Sequence, residues 1–165
     1  MPAWKRLLIA WLFVPVHAFL FRLSGGRVLG RLEGTGVLIL VTMGRKSGKR
    51  RLSPLLYFRF DETGDLVVVA SNYGQDRHPT WYLNLAADPR VVVETGGERF
   101  AAEAHVIRGH ERDTLYDRVV AANPRFGTYR AGTRREIPVV ALRRARPSVR
   151  ETSVGGAHRR LNVQR

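Results

Sequence analysis

Six short runs of apolar and β-branched residues, separated by turn residues, constrain the fold of this chain more than any other feature of its sequence. They predict β-strands over Val37–Thr42, Leu55–Phe60, Leu66–Ala70, Val91–Glu94, Arg99–Ile107 and Ile137–Leu142. Only two interior segments have helical spacing, one beginning at Pro79 and one over His110–Ala122 with Leu115, Val119 and Ala122 inward. Mostly sequential strands with few helices predict a mainly β (α+β) fold, a small closed or half-closed β-barrel rather than a βαβ sheet.

Composition divides the chain into three parts. Residues 32–143 contain the predicted strands and form a single domain, in which Asn123-Pro124 ends the second helix and Arg125–Glu136 forms a loop. Residues 1–31 contain an apolar helix, Leu7–Phe21, and a glycine-rich linker. Residues 144–165 are rich in Arg, Ser, Gly and Thr without apolar periodicity, which predicts a disordered basic tail.

The N-terminal apolar helix allows more than one interpretation. It is shorter than the ~20 residues that a spanning helix needs, and its end lacks the small residues of a signal-peptide cleavage site. Residues 4–22 therefore predict a helix that either lies on an anionic membrane surface or packs on the domain as a lid. The absence of cysteine favours a cytoplasmic protein, and the first alternative would place it at the inner face of the cell membrane.

The net charge of +14 is the most unusual bulk property of the sequence. It implies a polyanionic partner, which is a nucleic acid, an anionic lipid or an anionic cofactor. The chain has no cysteine, which excludes disulfides, thiolate metal sites and cysteine nucleophiles. Its five histidines show no i, i+4 pairing with a second ligand, so we expect no metal site.

The densest positive charge lies between the first two predicted strands. The segment Gly44–Arg51 contains five cationic residues and Ser47, and its two glycines allow a tight turn with N–H groups pointing outward. Such a turn favours phosphate or carboxylate. It is not a Walker A loop, because Met43 replaces a required Gly and Arg50 replaces the Ser or Thr.

Three segments together resemble the deazaflavin-dependent nitroreductase family of actinobacteria: Val41–Tyr57, Val69–Gly74 with His78–Leu85, and Arg134–Pro138. The resemblance implies a split β-barrel like that of flavin-mononucleotide-binding oxidoreductases. It also implies reduced coenzyme F420 as the hydride donor, with FMN as the alternative cofactor. Coenzyme F420 is an 8-hydroxy-5-deazaflavin with a phosphodiester and an oligoglutamate tail, which accounts for the positive turn.

The same resemblance implies residue roles at the cofactor. The phosphate and tail would be held by Arg45, Lys46, Ser47 and Lys49. The ring system would lie beside Pro54, Leu55 and Tyr57, with Ala70 and Ser71 beginning the loop over it and Pro79 and Trp81 providing backbone N–H groups and an aromatic wall.

The expected activity is hydride transfer from reduced F420 to a quinone, enone or nitro-type acceptor. Ser71 and Tyr129 are the candidate catalytic residues, as donors to the acceptor oxygen. Some family members carry several tyrosines before the final Ile-Pro, where this chain has Asn123, Phe126 and Tyr129.

Two other functions remain open at this point. One is a non-catalytic protein of the same fold that binds or shuttles deazaflavin, FMN or haem. The other is a nucleic-acid binder, which the separation of the aromatic cluster after Pro79 from most of the charge disfavours, because single-strand binders interleave the two. The sequence leaves the oligomeric state open.

Overall fold

The computed structural model describes residues 31–32, 35–60 and 64–145. The strands are β1 (Arg31–Leu32), β2 (Thr35–Met43), β3 (Arg50–Arg59), β4 (Leu66–Val69), β5 (Arg90–Thr95), β6 (Glu98–Ile107) and β7 (Val139–Arg144). The helices are α1 (Thr80–Ala87), α2 (Gly109–Ala122) and α3 (Arg125–Ala131), with a one-turn 3-10 helix over Asn72–Gly74. The predicted apolar helix at 7–21 and the tail from 146 onward lie outside the described residues. Within these ranges, no helix is both long and apolar enough to cross a membrane.

All neighbouring strands pair antiparallel, in the order β1-β2-β3-β4-β7-β6-β5. Strand β2 also pairs with β5, where Ile39, Leu40 and Val41 face Glu94, Val93 and Val92. This second pairing closes β2 to β7 into a six-stranded antiparallel barrel, and the predicted split-barrel fold is confirmed.

Each barrel strand contributes alternate residues to one interior cluster, as the two-residue period of a strand requires. Its fully buried members include Leu38 and Leu40 from β2, Val68 from β4, Val93 from β5 and Val140 from β7. Each such aliphatic side chain contributes about 1.5–3 kcal/mol by its burial. Residues of the opposite parity, such as Val67 and Val69, pack under α2 and α3 in a second, helix-side cluster.

The hairpin between β5 and β6 depends on two glycines. Thr95 pairs with Glu98, which leaves a two-residue loop of Gly96 and Gly97 with φ of 54° and 86°. Positive φ at both positions is the type I′ requirement, and glycine meets it without steric cost. The strands predicted over Val91–Glu94 and Arg99–Ile107 are confirmed, and this turn joins them.

The starts of β3 and β7 differ from the predictions. Strand β3 begins at Arg50, five residues early, because its pairing with β2 runs from Met43–Arg50 to Gly36–Tyr57. Arg50 and Arg51 therefore lie on a strand and not in the turn. Strand β7 begins two residues late, at Val139, and Ile137 instead packs in the helix-side cluster.

The predicted loop over 125–136 is wrong, since α3 fills its first half. Pro124 ends α2 but also precedes a new helix, a place that proline tolerates. In α2 the predicted inward residue Ala122 is exposed, and Arg112 and Tyr116 are buried instead. Arg112 is stabilised there by donating hydrogen bonds of 3.0 and 2.6 Å to the Ile137 carbonyl, and the Tyr116 hydroxyl donates to the Phe126 carbonyl at 2.9 Å.

Candidate active site

The barrel is open along one edge of β3. This strand pairs with β2 from Arg50 to Tyr57, but with β4 only over Tyr57–Arg59. No strand among the described residues pairs with the remaining edge, and Pro54, which lacks an N–H group, lies within it. The half-buried side chains over Leu52–Tyr57 thus lie at a gap between strands.

The three predicted ring-contacting residues of β3 do not share one face. Leu55 and Tyr57 pack against the interior cluster, whereas strand alternation puts Pro54 on the opposite face. The Tyr57 ring lies directly over Gly36, where a Cβ atom would come within 2.5 Å of the ring carbons. The absence of a Cβ atom at Gly36 therefore allows the Tyr57 ring to lie against this part of β2.

The turn between β2 and β3 uses its own backbone donors. Gly44 N–H bonds to Lys49 O at 2.9 Å, and the N–H groups of Ser47 and Gly48 both bond to Gly44 O, at 3.0 and 2.7 Å. The Lys49 N–H donates to Ser47 Oγ at 3.4 Å. The prediction that these N–H groups point outward is wrong, so an anion at this turn would be bound by side chains.

A buried asparagine attaches this turn to α1. Asn84 Oδ1 accepts a hydrogen bond from the Arg45 N–H at 3.2 Å, and its Nδ2 donates to Thr42 Oγ1 at 3.2 Å. The side chain is only 2% exposed. Sequence reasoning did not assign a role to Asn84, although a polar residue between Trp81 and Leu85 on the inward face of a short helix was a usable signal.

The segment Gly44–Arg51, which comprises the turn and the first two residues of β3, is named the basic turn. Its cationic side chains are exposed and carry uncompensated charge. The five are Arg45, Lys46, Lys49, Arg50 and Arg51. None forms an ion pair within the described part of the chain, and the one hydrogen bond that their charged groups make there joins Arg51 Nη2 to Ser47 Oγ at 3.4 Å. Five unpaired cations fit a ligand that carries several negative charges.

Arg135 organises the loop from Ala70 to His78. Its Nη2 donates to the carbonyls of Ala70 and Ser71 at 2.9 and 2.8 Å, and its Nε donates to the carbonyl of Gln75 at 2.8 Å. Burial lowers the pKa of Arg135. The segment Arg134–Pro138 is part of the family resemblance, but the carbonyls that Arg135 binds lie 60 to 65 residues away along the chain, and the contacts have no local signal.

The loop contains two non-glycine residues in the left-handed region, Asn72 with φ of 49° and Tyr73 with φ of 57°. Each such residue costs on the order of 1 kcal/mol or more, and this kind of strain concentrates at functional sites. Tyr73 is 80% exposed, and its ring meets the Tyr129 ring edge to face at 6.2 Å.

The two candidate catalytic residues lie on adjoining segments. Ser71 is 8% exposed, and its carbonyl accepts from Gly74 N–H at 3.0 Å. A Cβ atom on Gly74 would lie 3.1 Å from the Tyr129 carbonyl oxygen, so α3 contacts this loop directly. Tyr129 is half-buried against Phe126, with ring centroids 5.5 Å apart.

The residues predicted around the start of α1 are largely structural in their contacts. Ala70 is fully buried and Trp81 is 8% exposed, and both belong to the interior cluster. The helix begins at Thr80 rather than at Pro79, whose carbonyl accepts from Tyr82 and Leu83 N–H. The Trp81 side chain is therefore a core aromatic, and Tyr82 is the more exposed ring of this pair.

Asn123 replaces one of the tyrosines expected by resemblance. Its side chain is buried, and its Oδ1 accepts from Arg125 N–H at 3.2 Å. Its Nδ2 has no hydrogen-bond partner in the part of the chain that the structure describes.

The barrel closes through the pairing of β2 with β5 but leaves part of one edge of β3 unpaired, beside the exposed cations of the basic turn. These features fit a β-barrel oxidoreductase that binds an anionic cofactor. The chain belongs to the F420H(2)-dependent quinone reductase family, whose sequence model matches residues 14–144. Membership confirms the predicted F420H2-dependent oxidoreductase and reduced coenzyme F420 as its cofactor, so the FMN alternative is not needed. The description of this family names quinones as the substrates that are reduced. It does not show the nitroreductase activity that the sequence predicted.

Individual relatives agree with this assignment. The F420H(2)-dependent quinone reductase Rv1261c of Mycobacterium tuberculosis is 37% identical over 134 residues, which cover 78% of this chain and 88% of the relative. The solved structure of an F420-H2 dependent reductase, FDR-A, is 36% identical with a TM-score of 0.57, covering 64% of this chain and 92% of that one. A solved structure described as a domain-swapped dimer is 33% identical with the same TM-score, covering 76% and 98%.

Proposed function

We propose that this reductase transfers hydride from reduced F420 to a quinone, with enones and nitro compounds as further acceptors. The observation that carries the proposal is the basic turn, whose five cations have no carboxylate partner in the described residues and lie beside the open edge of β3. The family description supports a quinone as the acceptor.

In this proposal the basic turn binds the part of the cofactor that does not react. Arg45, Lys46 and Lys49 hold the phosphodiester and the oligoglutamate carboxylates, and Ser47 adds a hydroxyl whose oxygen already accepts from Lys49 N–H. Leu55 and Tyr57 contact the ring system, with Pro54 at the same strand edge. The bound deazaflavin supplies the hydride chemistry, and the protein supplies orientation.

The acceptor side is assigned to the loop and to α3. Ser71 and Tyr129 donate hydrogen bonds to the acceptor oxygen, where negative charge develops as hydride arrives. The structure favours this pair because the Ser71 loop and Tyr129 are in contact through Gly74 and Tyr73. Ala70, Pro79 and Trp81 hold the loop and α1 against the barrel.

The direct experiment mixes the purified protein with reduced F420 and a panel containing a naphthoquinone, an enone and a nitroaromatic. We expect reoxidation of the deazaflavin, followed by absorbance, to be fastest with the quinone. Tight binding without acceptor-dependent oxidation would instead identify a cofactor-binding or shuttling protein. Salt-sensitive oligonucleotide binding with no F420 binding would identify a nucleic-acid binder.

Removal of the Tyr129 hydroxyl tests the acceptor site. Tyr129→Phe should lower turnover by about 10- to 100-fold and leave the F420 Kd nearly unchanged, because the hydroxyl contributes only as charge forms on the acceptor. Tyr73→Phe is the matched control, since it removes an exposed hydroxyl from the neighbouring ring. If Tyr129→Phe kept wild-type turnover on every acceptor, the Tyr129 hydroxyl would have no catalytic role, and the ring would only line the site.

Residues 4–22 carry a further part of the proposal, which rests on the sequence alone. They contain a nearly all-apolar run, interrupted by Pro15 and His17 and flanked by Lys5, Arg6 and Arg22. Each cation adds about 1 kcal/mol of attraction to an anionic bilayer. We propose that this segment attaches the enzyme peripherally to the membrane that contains lipid-soluble quinones.

Vesicle co-sedimentation tests this attachment. The full chain should bind vesicles containing anionic lipid, and a truncated chain beginning at Gly25 should lose that binding while it still reduces a water-soluble quinone. Equal binding of the two chains would contradict the anchor and leave the segment as a lid.

A further inference from the structure

The contact between Arg135 and His78 defines the protonation state of the imidazole. Arg135 Nη1 lies 3.1 Å from the ring nitrogen Nδ1 of His78, which is hydrogen-bond distance. A guanidinium has donors and no acceptor, so Nδ1 must accept. The imidazole is then neutral, with its proton on Nε2.

The surroundings of His78 hold it in this state. Burial and the neighbouring Arg135 charge both lower the pKa of His78 from its ordinary value of 6.5. The Tyr82 ring lies against the imidazole at 4.9 Å between centroids. No other described residue makes a hydrogen bond to the ring, which leaves the Nε2–H group as a fixed, half-exposed donor.

We propose that His78 is a further cofactor-binding residue, whose Nε2–H donates a hydrogen bond to an oxygen of the bound deazaflavin coenzyme. This inference rests on the proposed function. His78 directly precedes Pro79, and its Arg135 partner also binds the carbonyls of Ala70 and Ser71. His78 therefore lies beside the loop that carries Ser71, next to three residues that the family resemblance places around the cofactor.

A donor fixed in this way differs from the cations of the basic turn. Arg45 and Lys46 are exposed and act through charge on an anionic tail, whereas the neutral His78 donor is directional and adds no charge. Arg135 positions it: the same guanidinium that binds the loop carbonyls also selects the tautomer. His78 is suited to an oriented carbonyl or hydroxyl oxygen rather than to the mobile tail.

Nuclear magnetic resonance of the full chain with 15N-labelled histidine tests the proposal. At neutral pH the His78 nitrogens should show the neutral Nε2–H tautomer, and oxidised F420 should shift the Nε2 signal. Arg135→Met should produce a mixture of tautomers. An Nδ1–H tautomer, a protonated ring, or an Nε2 signal that does not respond to saturating F420 would overturn the inference.

Binding measurements on two variants complete the test. His78→Ala should raise the F420 Kd about five- to tenfold, the ordinary effect of one neutral hydrogen bond. His78→Gln carries an N–H group near the Nε2 position and should restore most of the affinity, which a purely structural role would not predict. An unchanged Kd in His78→Ala would overturn the inference. Failure of the wild-type chain to bind F420 would instead refute the proposed function.

Discussion

The cationic side chains of the basic turn and the arginines on α2, α3 and β7 differ in whether a carboxylate neutralises them. Arg112, Arg130, Arg143 and Arg144 each form an ion pair, with Asp113, Asp117, Asp65 and Glu98, at distances of 2.7, 2.7, 3.0 and 2.6 Å. The five cations of the basic turn form none in the described residues. Arginine content alone therefore does not identify a ligand site. The basic turn differs because five neighbouring cations all lack a carboxylate partner among the described residues, and this clustering favours an anionic ligand.

The paired arginines also contribute to packing. Arg144 lies 3.8 Å above the Phe100 ring centroid, and Arg112 lies 4.7 Å above that of Tyr116. An exposed ion pair such as Arg144 with Glu98 is worth about 0–1 kcal/mol, but its charge is neutralised locally. Like charges crowded in the basic turn repel one another and destabilise the free protein, which is a physical reason to expect an anionic ligand there.

Arg135 is intermediate between these two groups. It has partners, but they are backbone carbonyls and His78 rather than a carboxylate. Carbonyl partners leave the full positive charge on the guanidinium while they fix the loop from Ala70 to His78. This arginine therefore stabilises the loop and contributes positive potential near the candidate acceptor site.

The largest effect should follow from Arg135→Met. The variant loses the three short charge-assisted hydrogen bonds to the carbonyls of Ala70, Ser71 and Gln75, each worth about 1.5–3 kcal/mol, and leaves those carbonyls without this donor. We expect a loss of at least ~3 kcal/mol in the free energy of unfolding, measured by urea denaturation, together with weaker F420 binding.

Arg144→Met is the control for this prediction. It removes an arginine of equal size from an ion pair whose side chains are 60% and 66% exposed. We expect a change in the free energy of unfolding of less than ~1 kcal/mol and an unchanged F420 Kd. If both substitutions lowered the free energy of unfolding equally, the hydrogen bonds from Arg135 to carbonyls would stabilise the fold no more than a surface ion pair does.

Features with local signals could be predicted from the sequence. The strands have two-residue periodicity, the Gly96-Gly97 turn has its own chemistry, and the basic turn is contiguous. The contacts of Asn84 and Arg135 could not be predicted, because their partners lie 39 to 65 residues away and are chosen by tertiary packing. Helix α3 was missed because its seven residues include a glycine and show only weak periodicity.

A smaller effect is expected from charge removal in the basic turn. Arg45→Ala or Lys46→Ala should each raise the F420 Kd by about 10- to 100-fold, which corresponds to about 1.5–3 kcal/mol per charge-assisted contact. The rate of hydride transfer in the saturated complex should stay the same, because the tail does not react. Added salt should reproduce the weaker binding in the wild-type protein.

Titration calorimetry measures this effect, with Arg143→Ala as the matched control. Arg143 carries the same charge but is paired with Asp65, so its removal should leave the affinity nearly unchanged. Unchanged affinity in both turn variants would show that the basic turn lies outside the cofactor site.

The smallest effect should follow from Asn84→Ala, which separates the position of the basic turn from its charge. The variant removes the acceptor for Arg45 N–H and the donor to Thr42 Oγ1, and keeps all five cations. We expect a loss of about 1 kcal/mol in stability and a rise of about three- to fivefold in the F420 Kd, because a less constrained turn loses more entropy on binding. Thr42→Val removes the other partner of Asn84 and leaves the Arg45 bond, so it should lower stability without changing the Kd. If Asn84→Ala bound F420 as tightly as the wild-type chain, charge alone would determine affinity, and the attachment of the turn to α1 would serve only the fold.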